Sequence, residues 1–400
     1  QSVNPYQTFG MMASSLYDFG PNPVTGYYPN TAPNPNLKWE YSETVNYGLD
    51  FGLFDGRLMG TAEYYVQNTN DLLMSLSLPA SSGINGSYLT NIGATQNKGF
   101  ELTLNGIIFE NKNGWSWSAG VNFYTNKNKI TKLAASQLRD VGNMWFVGYP
   151  INSIYDYKNI GIYQLGEEAI ATAAYGLKPG DIKVAYNLTD GDPVTFDANG
   201  VPDRKINAND KFILGATDAD FQGGFNTTVS YKNFDLGIIG LFRSGGLLIS
   251  TIHANQGYLN QLSGRRGQIQ VDYWTPDNPN GKYPTPGGTR GNQDGPAFGE
   301  TMAYFDASYV KLRTITLGYN FKGEWIKKIG LSNGRVYFTC YNPFVISSPY
   351  NKETGLDPET NSPVRENTAA SNDAIPTRLL SVGANTPSTR SFTLGVNLTF

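Results

Sequence analysis

The chain has 400 residues, a net charge of −3 and only 16% charged residues, which favours neither nucleic acid nor a strongly acidic partner. It carries 45 Gly, 26 Tyr and 21 Phe, more than a helical globular protein normally holds. One cysteine, Cys340, excludes an intrachain disulfide framework, and one histidine, His253, leaves little room for histidine-based metal or acid–base chemistry.

No run of about 18 apolar residues occurs, so no transmembrane helix is expected. No signal peptide opens the sequence either. A secreted or outer-membrane protein needs one, so the start at Gln1 points to a processed or partial chain.

The first strand is predicted over residues 38–54. Trp39, Tyr41, Glu43, Val45, Tyr47, Leu49, Phe51 and Leu53 share one face, and Lys38, Glu40, Ser42, Thr44, Asn46, Gly48, Asp50 and Gly52 the other. One face is aromatic and apolar; the other is polar or bare. Soluble strands alternate too, but they average about 5–6 residues and rarely pass ~10. Lipid outside and water inside explains the longer run.

The Asp55-Gly56 pair marks a hairpin into residues 57–68, where Leu58, Gly60, Ala62, Tyr64 and Val66 share a face. A long loop is expected over 71–96. Phe100, Leu102, Leu104, Gly106 and Ile108 then alternate with Glu101, Thr103, Asn105 and Ile107. The short turn 111–114 leads into Trp115, Trp117, Ala119, Val121 and Phe123, opposite Ser116, Ser118, Gly120 and Asn122.

A very long connection over 126–220 follows. The next hairpin joins 221–231 to Phe234, Leu236, Ile238, Gly240 and Phe242 through Lys232-Asn233. A proline-rich connection spans 245–305. A strand at 308–321, a turn at 322–334, a strand at 335–346, a loop at 347–389 and a terminal strand at 390–400 complete the chain.

Nine strands are clear, and residues 6–14 are a candidate tenth. Short and long connections alternate throughout, as periplasmic turns and extracellular loops do in membrane barrels. Phe51, Phe54, Trp115, Trp117, Phe234, Tyr319, Phe321 and Trp325 lie near the short turns, and Trp39, Tyr41, Phe123 and Phe242 near the long loops. Two aromatic levels match the two headgroup layers. Glu43 interrupts the apolar face near the long-loop end and is placed at or above the outer headgroups. Lys311 and Arg313 share parity with Ile315, Leu317, Tyr319 and Phe321, so either that strand rises above the membrane or a bulge switches its faces. The fold class is therefore all-β: a transmembrane antiparallel β-barrel with long extracellular loops.

Several segments, in one collinear order, resemble the SusC/RagA family of TonB-dependent outer-membrane transporters. They are Asn36-Leu37-Lys38-Trp39-Glu40 with Asn46-Tyr47-Gly48-Leu49-Asp50, Gln96-Asn97-Lys98-Gly99-Phe100-Glu101-Leu102, and Lys178-Pro179-Gly180-Asp181-Ile182-Lys183. Tyr273-Trp274-Thr275-Pro276, Ala307-Ser308-Tyr309-Val310-Lys311-Leu312-Arg313 with Leu317-Gly318-Tyr319, and Asp357-Pro358-Glu359 continue the order.

The resemblance implies that residues 1–400 are the C-terminal part of a barrel of about 22 strands with a plugged lumen. The N-terminal plug and the first strands then lie outside this sequence. It also implies nutrient import of oligosaccharide or peptide, a SusD-like surface lipoprotein, and a TonB-ExbB-ExbD energising complex acting through the missing N-terminal part. Outer-membrane lipid and the barrel assembly machinery are further partners, and the resemblance admits a dimer of transporter–lipoprotein pairs. The implied location is the outer membrane of a Bacteroidetes-like Gram-negative cell. No covalent chemistry, cofactor or metal is expected.

The lumen lining is expected to include Lys38, Glu40, Asn46, Asp50, Glu101, Asn105 and Asn122. The terminal Phe400, after Phe392, Leu394, Val396 and Leu398, resembles the signal read by the barrel assembly machinery. Trp145, Tyr149, Tyr155, Tyr157, Trp274 and Tyr283 in the long connections are candidates for stacking on sugar rings or gripping peptides; self-packing of the loops is the bland alternative for each. Asp190, Asp192, Asp197, Asn199, Asp203 and Asp210 invite a calcium loop, but the run Asp197-Ala198-Asn199-Gly200-Val201-Pro202 lacks the third ligand and the placed glycine, so a turn-rich loop is expected instead. Two alternatives stay open. One is a self-contained ten-stranded barrel acting as a passive pore. The other is an omptin-like protease using His253 and rim carboxylates.

Overall fold

The computed structural model describes residues 8–18, 20, 22–77, 80–84, 87–134, 137–254, 271–285, 296–321, 330–359, 362–363, 379–382 and 388–400. The predictions involving residues 6–7 and Trp325 lie outside these.

A hairpin of β1 (Met12–Tyr17) and β2 (Val24–Pro29) precedes the wall strands β3 (Tyr41–Leu53), β4 (Leu58–Ser77), β5 (Ser87–Lys112) and β6 (Trp115–Lys132). Short strands β7 (Arg139–Asp140), β8 (Trp145–Phe146), β9 (Ser153–Asp156), β10 (Asn159–Ile162), β11 (Ile182–Val184) and β12 (Phe212–Ala216), with helix α1 (Glu168–Tyr175), fill the next connection. The wall resumes with β13 (Phe221–Tyr231) and β14 (Phe234–Ser244). Then come β15 (Leu247–Ser250), α2 (Thr251–Ala254) and β16 (Tyr304–Asp306). The wall strands β17 (Tyr309–Phe321) and β18 (Asn333–Tyr341) follow, with β19 (Val345–Ser347) and α3 (Pro349–Thr354) after them. Two small strands, β20 (Ser362–Pro363) and β21 (Leu380–Val382), precede the last wall strand, β22 (Ser391–Thr399).

One sheet follows the path β22-β18-β17-β14-β13-β6-β5-β4-β3, with β19 added beside β17. The pairings that join β6, β13, β14, β17, β18 and β22 are all antiparallel. Backbone of positive φ forms the short turns: Phe54, Asp55 and Gly56 in one, Asn111, Asn113 and Gly114 in another, Lys232 in a third. Asn, Asp and Gly tolerate that region best. The nine predicted wall strands are all present. The tenth is not part of the wall: β1 pairs with β2, and the path ends at β3.

Strand ends differ from the sequence-based boundaries. The loop expected over 71–96 is largely strand, since β4 continues to Ser77 and β5 starts at Ser87. Polar side chains hold this extension, as Gln96 donates to Asn68 at 2.8 Å and Asn91 to the carbonyl of Asp71 at 2.8 Å. Apolar residues fall on both parities there, Leu72 beside Leu73 and Leu89 against Ile92, so no period-two pattern marks it. The strand expected over 335–346 breaks after Tyr341, where Asn342 has a φ of 47°.

The described residues divide into two compact units. The first holds those before Asp50 together with Glu63–Phe100 and Asn126–Ile151; the second holds Asp50–Ala62, Glu101–Thr125 and Asn152 onward. In the first, Ile130, Leu133, Ala134 and Phe146 are buried. In the second, Ile162, Tyr163, Ala171, Ala174, Leu177, Ile182, Val184, Ile206 and Trp274 form one apolar core. Smaller clusters gather around Ile249 and Leu379, and around Leu248 and Tyr350. Within the second unit, the part of the expected 126–220 connection from residue 152 to 220 is thus folded around its own core.

Candidate functional site

Cross-strand partners share a face, so the register sorts the wall of the second unit. Thr227↔Ile238, Ile238↔Ile315, Ile315↔Cys340 and Cys340↔Phe392 trace an apolar face. Thr228↔Gly237, Gly237↔Thr316, Thr316↔Thr339 and Thr339↔Thr393 trace a polar one. The apolar face carries aromatic groups at two levels. Trp115 stacks on Tyr231 at 4.4 Å, and Phe234 meets Tyr319 at 4.8 Å near the short turns. Near the long loops Phe123 meets Phe221 at 5.4 Å, and Phe221 meets Phe242 at 6.4 Å.

The polar face is lined by carboxamides and hydroxyls. A hollow of about 490 Å³ is lined by Thr103, Asn105, Asn122, Asn226, Thr228 and Thr316, among others. Gly120 leaves space for two of them: a Cβ there would fall 2.7 Å from both the Asn105 and the Asn226 amide groups. Asn122 accepts from the amide of Gly224. Below the hollow, Asp235 and Arg335 meet at 2.5 Å across β17, and Asn320 donates to the same carboxylate at 2.8 Å. They meet over Gly318, where a Cβ would lie 2.6 Å from both charged groups. The Arg335 guanidinium also lies 5.2 Å from the Tyr337 ring centre, and that ring covers Gly395.

Toward the loops, the register of β14 on β17 shifts between Ile239 and Gly240. The extra residue on β17 is Arg313, a β-bulge. This settles the parity conflict at Lys311 and Arg313 in favour of a switch of faces: Lys311 now opposes Leu241, on the polar side. Lys311 is 1% exposed and pairs with both Asp357 and Glu359, and Arg313 pairs with Glu359. Burial alone would raise the Asp357 carboxyl, but hydrogen bonds from Lys311, Ser388 and the Glu359 amide outweigh it and hold it below the usual carboxylate range.

The predicted residues fall as follows. In the first unit Asn46 donates to Glu63 at 3.2 Å on the polar parity of β3 and β4. In the second, Thr61 donates to Asp50 at 2.8 Å, and Glu101 shares the parity of Thr103 and Asn105 along β5. Lys38 and Glu40 precede β3, and the Lys38 backbone is held by the Asn91 side chain at 2.7 Å in each direction. Among the loop aromatics, Tyr149 is 47% exposed. Trp145 lies in β8 and Tyr155 in β9. Tyr157 packs on Phe298 at 4.8 Å, with the Lys211 ammonium 5.2 Å from its ring centre. Trp274 and Tyr283 are each 3% exposed, and Trp274 donates to Gln164 at 2.8 Å. Trp274 belongs to the apolar core around Ile182, and Tyr283 to a smaller cluster with Val271, Tyr273 and Met302. Phe400 is 89% exposed beyond β22, whose Phe392, Leu394, Val396 and Leu398 all point to the apolar face.

The aspartate-rich segment is organised around an arginine. Arg204 reaches both oxygens of Asp210 at 2.7 Å and also binds the carbonyl of Asp192. Burial would raise the Asp210 carboxyl, but Arg204 and the amides of Asn207 and Asn187 hold it low. Asp197 caps its own turn through the amides of Asn199 and Val201, and Asp203 accepts from Thr195. Among the described residues no group of three or more His, Cys, Asp or Glu is placed to hold a metal ion. His253 is 0% exposed, so no substrate atom reaches its ring in this conformation.

Sequence reading missed the Asp235–Arg335 pair and the Lys311–Asp357 anchor. The available signals were Asp235 and Arg335 on the polar parity of their strands and Lys311 on the apolar parity of its own. Their partners lie 100 and 46 residues away, beyond the reach of local pattern.

Comparison with known proteins agrees with the two-faced wall. Residues 4–343 match the family described as TonB dependent receptor-like, beta-barrel. TonB-dependent receptor P3 of Formosa agariphila is 32% identical, with 100% of this chain and 38% of that protein covered. TonB-dependent receptor SusC of Bacteroides thetaiotaomicron is 30% identical over 88% of this chain and 32% of its own length. A structure of the RagAB peptide transporter superposes with a TM-score of 0.63 at 25% identity, covering 86% of this chain and 36% of that one. This chain thus spans under two fifths of the length of these relatives. It belongs to the TonB-dependent receptor-like β-barrel family and supplies part of an outer-membrane transmembrane barrel.

Proposed function

We propose that this chain is the C-terminal wall and extracellular loop portion of a TonB-dependent importer that carries oligosaccharide or peptide across the outer membrane. A SusD-like surface lipoprotein closes it from outside, and a TonB-ExbB-ExbD complex energises it through the N-terminal part. The observation that carries this reading is the two-faced wall, apolar on one side and lined with Asn, Thr and Gly on the other, in a chain of this family. The apolar side faces lipid. The polar side, with Asn46, Asp50, Glu101, Asn105 and Asn122, faces the lumen, where hydroxyl and amide groups replace water for a hydrated cargo.

The chain performs no covalent chemistry in this reading. Asp235–Arg335 and Lys311–Asp357 brace the lumenal face, and the folded loops hold the cargo-facing surface. Contact with cargo falls to the exposed Tyr149, with Trp145, Tyr155 and Tyr157 nearer the loop packing; Trp274 and Tyr283 support from within. Phe400 is the residue read by the barrel assembly machinery. The test is uptake by cells producing the full-length protein, with and without TonB, and purification of the protein with any bound lipoprotein. Import lost without TonB, and a co-purifying lipoprotein, are expected. Uptake indifferent to TonB would make it a passive pore.

A further inference from the structure

His253 sits in a hydrogen-bond relay that transport does not use. It is the third residue of α2 and fully buried. Its Nδ1 lies 2.8 Å from Ser250 Oγ, and its Nε2 lies 3.1 Å from the Tyr283 hydroxyl. That hydroxyl donates to Glu353 Oε1 at 2.7 Å. Ser250 Oγ lies 3.2 Å from the Tyr350 hydroxyl. The relay therefore joins β15 and α2 to residues 271–285 and to α3, three segments far apart in the chain.

The protons fit in one direction. An ionised carboxylate only accepts, so Tyr283 gives its proton to Glu353 and accepts from Nε2–H. A neutral ring protonated on Nε2 has a bare Nδ1, which accepts from Ser250. The Ser250 oxygen then accepts from Tyr350. A second proton on the ring would place a donor on Nδ1 against the Ser250 hydroxyl hydrogen. Ser250 would have to turn toward Tyr350, whose own proton must then leave the Ser250 oxygen. The surroundings do not favour the cation: Phe305 stands edge-on at 4.7 Å, and Leu248, Ala307 and Val382 cluster with Tyr350.

We propose that this relay is a proton-sensitive catch on the extracellular loops: one proton taken up at His253 reverses the Ser250 contact and frees α3 from α2 and from residues 271–285. The catch does not depend on import, and it stands whether or not the chain carries cargo. Glu353 and Tyr350 face it from α3, and Tyr283 from residues 271–285. Glu300 lies on the turn Gly299–Ala303 packed beside α2, and Tyr304 and Asp306 lie on β16; β21 brings no charge. Burial pushes the imidazole down to about 4, and the attraction of Glu353 offsets only part of that.

The sign follows from linkage. The closed form binds the proton less readily than the opened form, whose histidine titrates near 6.5. The catch is therefore intact above that value and weakens as the pH falls through 6.5, and the weakening stops near 4. Opening should rise about tenfold between pH 7.5 and 5.5.

The measurement is hydrogen exchange at residues 247–254 and 349–354 of the full-length protein in lipid nanodiscs, each pH corrected for intrinsic exchange. Protection about tenfold lower at pH 5.5 than at 7.5 is expected, with no such change in His253→Gln. Gln keeps one acceptor and one donor but does not titrate. Equal protection at both pH values overturns the proposal. So does the same loss in His253→Gln, or an equal loss spread over residues 162–184. Tyr283→Phe keeps the histidine and removes the Nε2–H acceptor. It should lower protection at pH 7.5 while keeping a pH ratio of about ten, and a ratio near one overturns the proposal even if His253→Gln does not fold.

Discussion

Within the second unit, the wall and the loops place the same kinds of side chain in opposite surroundings. Leu317 of β17 is 51% exposed and Leu394 of β22 is 73% exposed, while Ile182 and Ala171 in the loops are 0% exposed. Neither region breaks the hydrophobic rule. The wall leaves its apolar residues open because acyl chains cover them; the loops meet water and must bury their own. Aromatic side chains divide the same way. Trp115 and Tyr319 stand on the apolar surface near the short turns, whereas Trp274 and Tyr283 are enclosed. A sheet with a lipid-facing side needs no second layer, and this one has a hollow where a soluble sandwich would have a core.

The largest effect expected from this contrast is in the loops. Trp274→Ala should cost about 3–5 kcal/mol of local stability. Hydrogen exchange over residues 162–184 would read it, with the wall strands unaffected. Next is the wall: Leu317→Arg should cost about 2–4 kcal/mol in denaturant unfolding from lipid vesicles, against less than about 1 for Thr316→Arg on the other face. Equal costs would break the idea that two solvents act on the two faces. Gly318→Ala should cost about 1–3 kcal/mol, because a methyl group there parts Asp235 from Arg335. The cost should shrink in Gly318→Ala combined with Asp235→Asn.

A smaller effect concerns Asp210. Its folded value lies below the ordinary carboxylate value of 3.8, so its contribution is complete above that value and disappears as the pH falls through the lower one. A loop unfolding curve measured at descending pH should lose this step in Asp210→Asn. Smallest in stability is Tyr149→Ala, expected within about 0.5 kcal/mol of the parent while uptake falls. Unchanged uptake would remove Tyr149 from the cargo surface.

The sequence by itself determined the wall. Period-two alternation needs only neighbouring residues, so the faces of β3 and β22, the short turns at Asp55-Gly56 and Lys232-Asn233, and the nine-strand count were all legible locally. Strand ends were less so: in the extensions of β4 and β5 apolar and polar residues mix on both parities, as at Leu72 and Leu73, so alternation carries no contrast. Tertiary structure decided the rest. The bulge at Arg313 shows only when β14 lies beside β17, and Gly318 is explained only by charges arriving from two other strands. Trp274 and Tyr283 read as surface candidates because a loop's core is assembled from segments far apart in the chain. Local pattern reports which residues share a face; it does not report what that face meets.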